Sequence, residues 1–345
     1  MDQTRNSIKD IWGNRTPYYE QWPERIDECK QEEPDQWVQS ACVLCSNGCG
    51  MDIGVKNGRI VGVRGRGVDR VNKGRLGPKG LYGWEANNSP DRLTKPLVRK
   101  NGKLVECSWD EAMELLVKKS KEVIEQYTAL GMGFYTSGQL FLEEYYALAV
   151  IGKAGIGTPH MDGNTRLCTA TSAAALKSSF GADGQPGSYT DLDTAETILH
   201  CGHNIASQQT VLWSRILDRL AGPNPPKLIA IDPRDTATAQ VATVHLAPYV
   251  GTNMAVMNGL LNLIIQSGNI NLEYINAHTT GFAKLKKIVS KWTPEKVQEV
   301  SGVPADKLRA AAEILGSTKT LVSTVLQGFY QSMQATAASI QVNNI

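Results

Sequence analysis

Cys42, Cys45 and Cys49 lie within eight residues of one another, in the order C-x2-C-x3-C. This spacing places soft sulfur ligands in one tight turn, where they can bind adjacent corners of one cuboidal iron–sulfur cluster. Gly48 and Gly50 allow the backbone to fold closely around such an inorganic core. The spacing therefore predicts that the three cysteines are iron ligands.

A structural zinc site is the alternative interpretation of the same cysteines. Zinc in such sites takes four protein ligands, and the nearest later thiol, Cys107, is far away in the sequence. The chain has 7 cysteines, an odd number that fits metal ligation in a reducing compartment better than a disulfide framework. Cys29, Cys107 and Cys201 stand apart and are predicted to be buried or incidental thiols.

Charge and hydropathy exclude several classes of partner. The formal net charge is +2, and the charged residues are mixed along the chain, so no basic face for nucleic acid is expected. No apolar run long enough to cross a membrane occurs, and the first residues show neither an apolar signal core nor a twin arginine. The sequence predicts a soluble, cytoplasmic protein without membrane insertion.

The first part of the chain contains a polar arm and a turn-rich module. Residues 1–36 include Trp12 and Pro17 but show no sustained period, which predicts an extended arm that wraps a neighbouring surface. Two short β-like segments, Met51–Val55 and Arg59–Arg64, follow, and the Lys-Asn-Gly turn between them predicts a hairpin.

The remainder of the chain has the alternating pattern of an α/β protein. Ser108 and Glu111 form a capping box that opens an amphipathic helix. Two apolar runs separated by a helical pattern predict a β-α-β unit with parallel strands. The predicted elements are the helices Trp109–Gln126, Val211–Leu220, Asn253–Gln266, Pro294–Val300 and Ala305–Leu315 and the strands Gly133–Thr136, Thr197–Cys201, Leu228–Ile231 and Thr320–Leu326.

The segment 37–97 resembles the opening of molybdopterin oxidoreductases of the dimethyl sulfoxide reductase superfamily. The resemblance rests on the cysteine motif, on Leu76-Gly77-Pro78-Lys79-Gly80 and on Asp91-Arg92-Leu93-Thr94-Lys95-Pro96-Leu97. It implies an α/β fold in which a small β-rich iron–sulfur module precedes Rossmann-like domains. The implied division is an arm at 1–36, an iron–sulfur domain at 37–97, a partial α/β domain from 98–165 with 317–345, and a Rossmann-like guanine-dinucleotide domain at 166–316.

One position departs from the family pattern. Cluster-bearing members have a fourth cysteine where this chain has Gly77, which cannot ligate iron. Three outcomes stay open: a three-iron cluster, a four-iron cluster with water or a non-protein or distant ligand on one iron, or the loss of the cluster. Lys79 matches the family lysine that lies between cluster and pterin, which implies a catalytic role in electron passage.

A second cysteine motif resembles the molybdenum-binding stretch of nitrate reductases and formate dehydrogenases. Asn164, Arg166 and Cys168 match its Asn-x-Arg-x-Cys pattern, in which the cysteine binds molybdenum. A thiolate suits a metal that is already held by dithiolene sulfurs. The resemblance therefore implies that Cys168 is the molybdenum ligand, and that Asn164 and Arg166 contact the cofactor.

Several turns resemble the family's sites for the molybdenum-bis(molybdopterin guanine dinucleotide) cofactor. Those implied to contact the guanine dinucleotide arm follow predicted strands, where parallel sheets bind nucleotides. They are Gly202, His203 and Asn204; Asp232, Pro233 and Arg234; and Gly251, Thr252 and Asn253. The turns implied to face the pterin rings are Ser137, Gly138 and Gln139, and Gln327 with Gly328.

The resemblance implies two-electron chemistry at molybdenum, usually oxygen-atom transfer, with an iron–sulfur cluster that relays electrons. Cys168 is followed by small residues rather than by the histidine typical of formate dehydrogenases, which favours a nitrate reductase-like enzyme. A formate dehydrogenase-like enzyme and a truncated, non-catalytic electron-transfer module are the alternatives. Family chains run to about twice this length, so we expect a fragment or a partner chain that carries the other half. A small inorganic or one-carbon substrate and an electron-exchanging protein complete the expected partners.

Overall fold

The protein is described here by a computed structural model that covers Arg15, Tyr18 and residues 21–345. The chain divides into two compact units. One consists of residues 25–166, and the other of residues 167–345 together with the described residues that precede residue 25. Trp12 and Pro17 of the predicted arm lie outside the described residues.

A four-stranded antiparallel sheet opens the 25–166 unit. Its order is β1-β4-β3-β2, and its strands are β1 (Glu28–Lys30), β2 (Gln36–Cys42), β3 (Cys49–Lys56) and β4 (Arg59–Gly65). Asn57 and Gly58 both have positive φ in the predicted hairpin turn between β3 and β4, which is the backbone that a two-residue hairpin requires. The antiparallel pairing places Cys42 directly opposite Cys49.

Short elements make up the rest of this unit. They are α1 (Pro78–Tyr82), a 3-10 helix (Gly83–Asn88), β5 (Leu97–Lys100), β6 (Lys103–Glu106), α2 (Trp109–Tyr127), a 3-10 turn (Ala129–Gly131), β7 (Phe134–Thr136), α3 (Leu142–Ala149), a π-helical segment (Val150–Ile156) and β8 (Met161–Gly163). β5 and β6 form an antiparallel hairpin, and β7 pairs with β8 in parallel. The Ser108 hydroxyl accepts from the Glu111 N–H, as the predicted cap requires.

A four-stranded parallel sheet forms the centre of the other unit. Its order is β11-β10-β9-β12, and its strands are β9 (Thr197–Cys201), β10 (Lys227–Ile231), β11 (Val244–Leu246) and β12 (Leu321–Val325). All five residues of β9 are buried, as is usual for a strand covered on both faces. β12 pairs with β9, whereas the family-based division assigns residues 317–345 to the same domain as residues 98–165. The family-based division as a whole stays a prediction.

Helices connect these strands and cover both faces of the sheet. They are α4 (Thr165–Cys168), α5 (Ala170–Phe180), α6 (Asp191–Thr194), α7 (Ile205–Gln208), α8 (Thr210–Leu220), α9 (Ala237–Gln240), α10 (Asn253–Gln266), α11 (Leu272–His278), α12 (Phe282–Val289), α13 (Pro294–Ser301), α14 (Ala305–Ser317), α15 (Gln327–Tyr330) and α16 (Ala335–Asn343). One buried cluster joins β9 and β10 to α10, α13, α14 and α16, and a second joins β9 to α8. Each predicted strand and helix is present, with ends that differ by at most two residues. No helix among the described residues is long and apolar enough to cross a membrane.

The described part of the N-terminal arm is fastened to α8 by buried polar contacts. The Trp22 indole N–H donates to Asp218 at 2.9 Å, and Arg15 pairs with the same carboxylate at 3.5 Å. The Arg215 guanidinium lies over the Trp22 ring, 4.4 Å from its centroid. Asp218 is fully buried, so its charge depends on these donors.

We expect Trp22→Phe to lower the free energy of unfolding by about 1–2 kcal/mol, because Asp218 loses a buried donor while the ring volume is largely kept. Trp109→Phe is the matched control, since Trp109 is 68% exposed, and its cost should stay below about 0.5 kcal/mol. Urea denaturation of both variants measures the difference. An equal loss of unfolding free energy in the two variants would contradict a stabilising contact between the arm and α8.

Candidate metal and cofactor sites

The three motif cysteines come together at one end of the β2–β3 pair. Cys42 ends β2, Cys49 begins β3, and Cys45 lies in the connecting loop. Ser46 and Gly48 have φ of 57° and 74° in this loop, so the left-handed backbone expected around an inorganic core is present. The loop brings all three thiols within electrostatic range of one another.

The loop environment disfavours the thiolate forms of Cys45 and Cys49 until a cation replaces the proton. Burial raises the pKa of Cys49, and the neighbouring thiols of Cys45 and Cys42 and the carboxylate of Asp69 raise it further. Burial also raises the pKa of Cys45, with the Asn47 backbone N–H and Lys79 acting in the opposite direction. Thiolates clustered in this way need bound metal to balance their charge.

Two further observations show that the loop fits an iron–sulfur cluster. Both amide atoms of Asn47 are buried without a protein hydrogen-bond partner, and inorganic sulfide can accept from such an amide. A Cβ at Gly80 would lie 3.1 Å from the Cys42 sulfur, so glycine there leaves space beside that thiol. Within the described residues, no group of three or more His, Cys, Asp or Glu side chains is placed to hold a metal ion, so the three motif cysteines stay predicted ligands.

The fourth-cysteine position offers no side chain. Gly77 caps the N-terminus of α1 with φ −73° and ψ 166°, an extended conformation that any residue can adopt. Cys29 lies near Trp84 and Glu85, and the Cys107 thiol contacts the Pro96 carbonyl at 3.6 Å. Neither thiol is among the groups that act on Cys45 or Cys49.

The predicted pterin-facing turn at 137–139 lies beside two other predicted site segments. The Gly138 N–H donates to the Asn164 side chain at 2.9 Å, and the Gln139 amide donates to the Leu44 carbonyl in the cysteine loop at 2.7 Å. The turn is therefore tied to both the cluster loop and the Asn-x-Arg-x-Cys stretch. Arg166 pairs with Asp162 at 2.7 Å.

Two glycine turns meet at the carboxyl edge of the parallel sheet. The chain runs outward from β9 to β10 and β11 and then returns to place β12 on the other side of β9. The β9–β12 boundary is therefore a topological switch point, where open parallel sheets bind nucleotides. The Gly328 N–H donates to the Gly202 carbonyl at 3.1 Å, and a Cβ on either glycine would lie 2.7 Å from the other's backbone.

The remaining predicted nucleotide residues line the same edge, since the carboxyl ends of parallel strands lie together. The Asn253 amide donates to the Gly328 carbonyl at 2.9 Å, and the Asn204 side chain accepts from Thr238 at 3.0 Å. Asp232 accepts from the Arg234 backbone N–H at 2.9 Å. Asn253, at the start of α10, thus links that helix directly to the glycine pair. Pro233 lies in the turn after β10, and Gly251 and Thr252 precede α10.

Two histidines near this edge face the protein interior. The Nδ1 atoms of His200 and His203 lie 2.7 and 2.8 Å from the Thr324 hydroxyl. Burial lowers the pKa of His200 to about 3 and that of His203 to about 4, so both are neutral near pH 7. The imidazole of His203, predicted to contact the cofactor, is directed toward β12, which leaves its backbone as the part available to a ligand.

Cys168 ends α4 and is contacted by a glutamine that was not predicted as a site residue. The Gln331 amide nitrogen lies 3.2 Å from the Cys168 carbonyl oxygen and 3.4 Å from its sulfur. Burial raises the pKa of Tyr330 to about 12, with Cys168 as the second cause. Both residues follow the Gln327-Gly328 motif closely, but no period or spacing in the sequence marks them. Gln327 itself has a buried side-chain oxygen without a protein partner.

Two family models match this chain. Residues 92–339 match molybdopterin oxidoreductase, and residues 35–89 match the molybdopterin oxidoreductase Fe4S4 domain. The solved structure of acetylene hydratase from Pelobacter acetylenicus has a TM-score of 0.75 at 22% identity, over 89% of this chain and 43% of that chain. This likeness confirms the predicted α/β fold.

Similar curated proteins include nitrate reductases and a formate dehydrogenase subunit. A nitrate reductase of Symbiobacterium thermophilum is 36% identical over 83% of this chain, and a periplasmic nitrate reductase of Desulfovibrio desulfuricans is 34% identical over 90%. The F420-dependent formate dehydrogenase 2 subunit alpha of Methanococcus maripaludis is 37% identical over 82%. The matched regions cover 39%, 43% and 41% of those proteins, so this chain spans about two fifths of their length.

The glycine pair gives a direct test of the nucleotide edge. We expect Gly328→Ala to cost about 1–3 kcal/mol of stability, because its Cβ would enter the Gly202 backbone, and to reduce bound guanine nucleotide. Gly184→Ala is the control, since no atom lies within 4 Å of a Cβ there. Nucleotide release on acid denaturation and urea unfolding measure both effects. A stable Gly328→Ala protein with undiminished nucleotide would contradict the assignment.

Proposed function

This chain belongs to the molybdopterin oxidoreductase family, and from that premise we propose that it is the cofactor-binding part of a nitrate reductase-like enzyme. The reaction would convert nitrate, two electrons and two protons to nitrite and water. An iron–sulfur cluster on Cys42, Cys45 and Cys49 would carry the electrons one at a time. Lys79, as a cation near this cluster, would favour electron passage.

The observation that carries the choice of nitrate is the helix that follows Cys168. Thr169 and the start of α5, Ala170–Phe180, provide small side chains in place of a histidine. Its Thr171 hydroxyl donates to the Tyr330 carbonyl, and the first ionisable side chain of this helix is Lys177, nine residues after Cys168. A histidine directly after the metal-binding cysteine is typical of formate dehydrogenases, so Thr169 at that position supports the nitrate reductase-like proposal.

Formate oxidation is the second candidate. The formate dehydrogenase alpha subunit of Methanococcus maripaludis is as similar to this chain as the nitrate reductases are. Reduced viologen oxidation by nitrate and viologen reduction by formate distinguish the two activities directly.

Residues of this chain would hold the cofactor in separate roles. Cys168 would ligate molybdenum, which supplies two-electron chemistry when bound. Gly202 would allow close approach of a pyrophosphate, and Asp232 would accept from ribose or guanine donors. Gly328, predicted to face the pterin rings, packs against Gly202. Ser137, Gly138 and Gln139 would support the pterin through their turn, with Asn164 fixing its backbone.

We propose that further polypeptide and an electron-exchanging protein complete the enzyme. α2 has no buried residue, and its Trp109 and Leu116 are 68% and 58% exposed. A helix with such an apolar face is normally covered. Relatives described as alpha subunits support an additional subunit. A cytoplasmic location is proposed because none of the seven cysteines is paired in a disulfide.

The missing fourth thiol favours a cluster held by three cysteines. We expect Gly77→Cys to convert a paramagnetic three-iron signal of the oxidised protein into a diamagnetic four-iron state. The extended backbone at Gly77 accepts cysteine without strain. Gly77→Ser is a control that alters the backbone similarly but supplies no thiol. An electron paramagnetic resonance spectrum unaffected by Gly77→Cys would mean that position 77 does not face the cluster.

Cys168→Ser tests the molybdenum ligand. We expect it to abolish nitrate reduction, a loss of at least about 10²-fold, because the metal loses its thiolate. The iron–sulfur spectrum should stay unchanged, since Cys42, Cys45 and Cys49 are untouched. Cys107→Ser is the matched control and should retain turnover. Undiminished nitrate reduction by Cys168→Ser would exclude Cys168 as the ligand.

A further inference from the structure

The side chain of Gln331 reaches both polar atoms of Cys168. Its Nε2 lies 3.2 Å from the Cys168 carbonyl oxygen and 3.4 Å from Sγ. A primary amide nitrogen carries two hydrogens, so one can be donated to the oxygen and the other to the sulfur. The Gln331 side chain therefore offers one N–H donor to each acceptor atom of Cys168, the proposed molybdenum ligand.

The backbone on each side of this contact is held by other bonds. The Gln331 N–H donates to the Gln327 carbonyl at 3.0 Å, which fixes the end of α15. The Thr171 hydroxyl donates to the Tyr330 carbonyl, so the segment after Cys168 is joined to the segment before Gln331. The Asn343 amide also donates to Ser179 at 3.0 Å, linking α16 to α5. The glutamine is thus directed at the sulfur from a fixed backbone.

The chemistry of sulfur makes this bond depend on the state of Cys168. A thiol is a weak acceptor, whereas a thiolate, free or metal-bound, offers lone pairs and negative charge to an N–H donor. Hydrogen bonds to ligating sulfurs orient them and draw electron density away from the metal. Such bonds raise reduction potentials, because they stabilise the more electron-rich state.

We propose that Gln331 is a positioning residue that donates an N–H to the Cys168 sulfur, fixes its direction and raises the reduction potential of the metal it ligates. The effect on the reduction potential rests on the proposed function. The hydrogen bond concerns only residues of this chain, so the hydrogen bond and the effect on the potential can be tested separately.

The hydrogen bond is tested in protein prepared without molybdenum. In ¹⁵N-labelled full-length chain, the side-chain amide pair that disappears in Gln331→Met identifies the Gln331 resonances. Cys168→Ala should shift one proton of this pair, because it removes the sulfur, and leave its partner near the wild-type position, because the carbonyl oxygen remains. Two unmoved protons would overturn the proposal, as would an equal shift of both.

The influence on potential is tested in the cofactor-loaded protein. Gln331→Met and Gln331→Glu have nearly the shape of glutamine but lack the donor, so both should lower the Mo(VI)/Mo(V) midpoint potential in a titration followed by electron paramagnetic resonance. Gln334→Met is the matched control, an exposed glutamine three residues further along, and should keep the wild-type potential. Unchanged potentials in both Gln331 variants would overturn the tuning role. A wild-type protein that binds no molybdenum would contradict the proposed function, and the amide resonances would still decide the hydrogen bond.

Discussion

The backbone contact between Gly202 and Gly328 is the constraint on which the predicted nucleotide-binding edge of the sheet depends. It exists because β12 returns to the far side of β9 and both turns lack a Cβ. The Asn253 amide joins the start of α10 to the same carbonyl. Three separate parts of the sequence therefore converge at one crevice. The Cys168 segment is joined to the continuation of the Gly328 turn through Thr171 and Gln331.

The predicted iron site depends on a different constraint, the antiparallel pairing of β2 with β3. Cys42 and Cys49 are cross-strand partners, and the loop between them uses left-handed residues to bring Cys45 to the same end. Burial and the neighbouring thiols disfavour the thiolate forms of Cys45 and Cys49 there. Positive iron removes that penalty, so the loop is a site whose charge balance is completed by its metal. The absence of a thiol at position 77 keeps three outcomes as predictions: a three-iron cluster, a four-iron cluster with water or another ligand on one iron, or the loss of the cluster.

Much of this organisation could be predicted from the sequence, and the reasons are local. β9 and α10 were predicted to the residue, since apolar runs and helical periodicity end at clear turns. The common edge of the turns after β9 and β10 followed from the direction of parallel strands. The contact of Gly328 with Gly202 was not predicted, because the resemblance implied that Gly328 faces the pterin rings. The inward direction of His203 could not be predicted, because it depends on Thr324, more than a hundred residues away. Gln331 and the buried amide of Asn47 also gave no signal, since a polar residue in a turn is usually solvated.

The central claim is that thiolates from two separate segments hold iron in one place and molybdenum in another. Elemental analysis of the protein purified without air tests it most directly. The account predicts about three to four irons and one molybdenum per chain in protein that contains the complete cofactor-binding polypeptide. Iron and molybdenum both absent from such protein would contradict it.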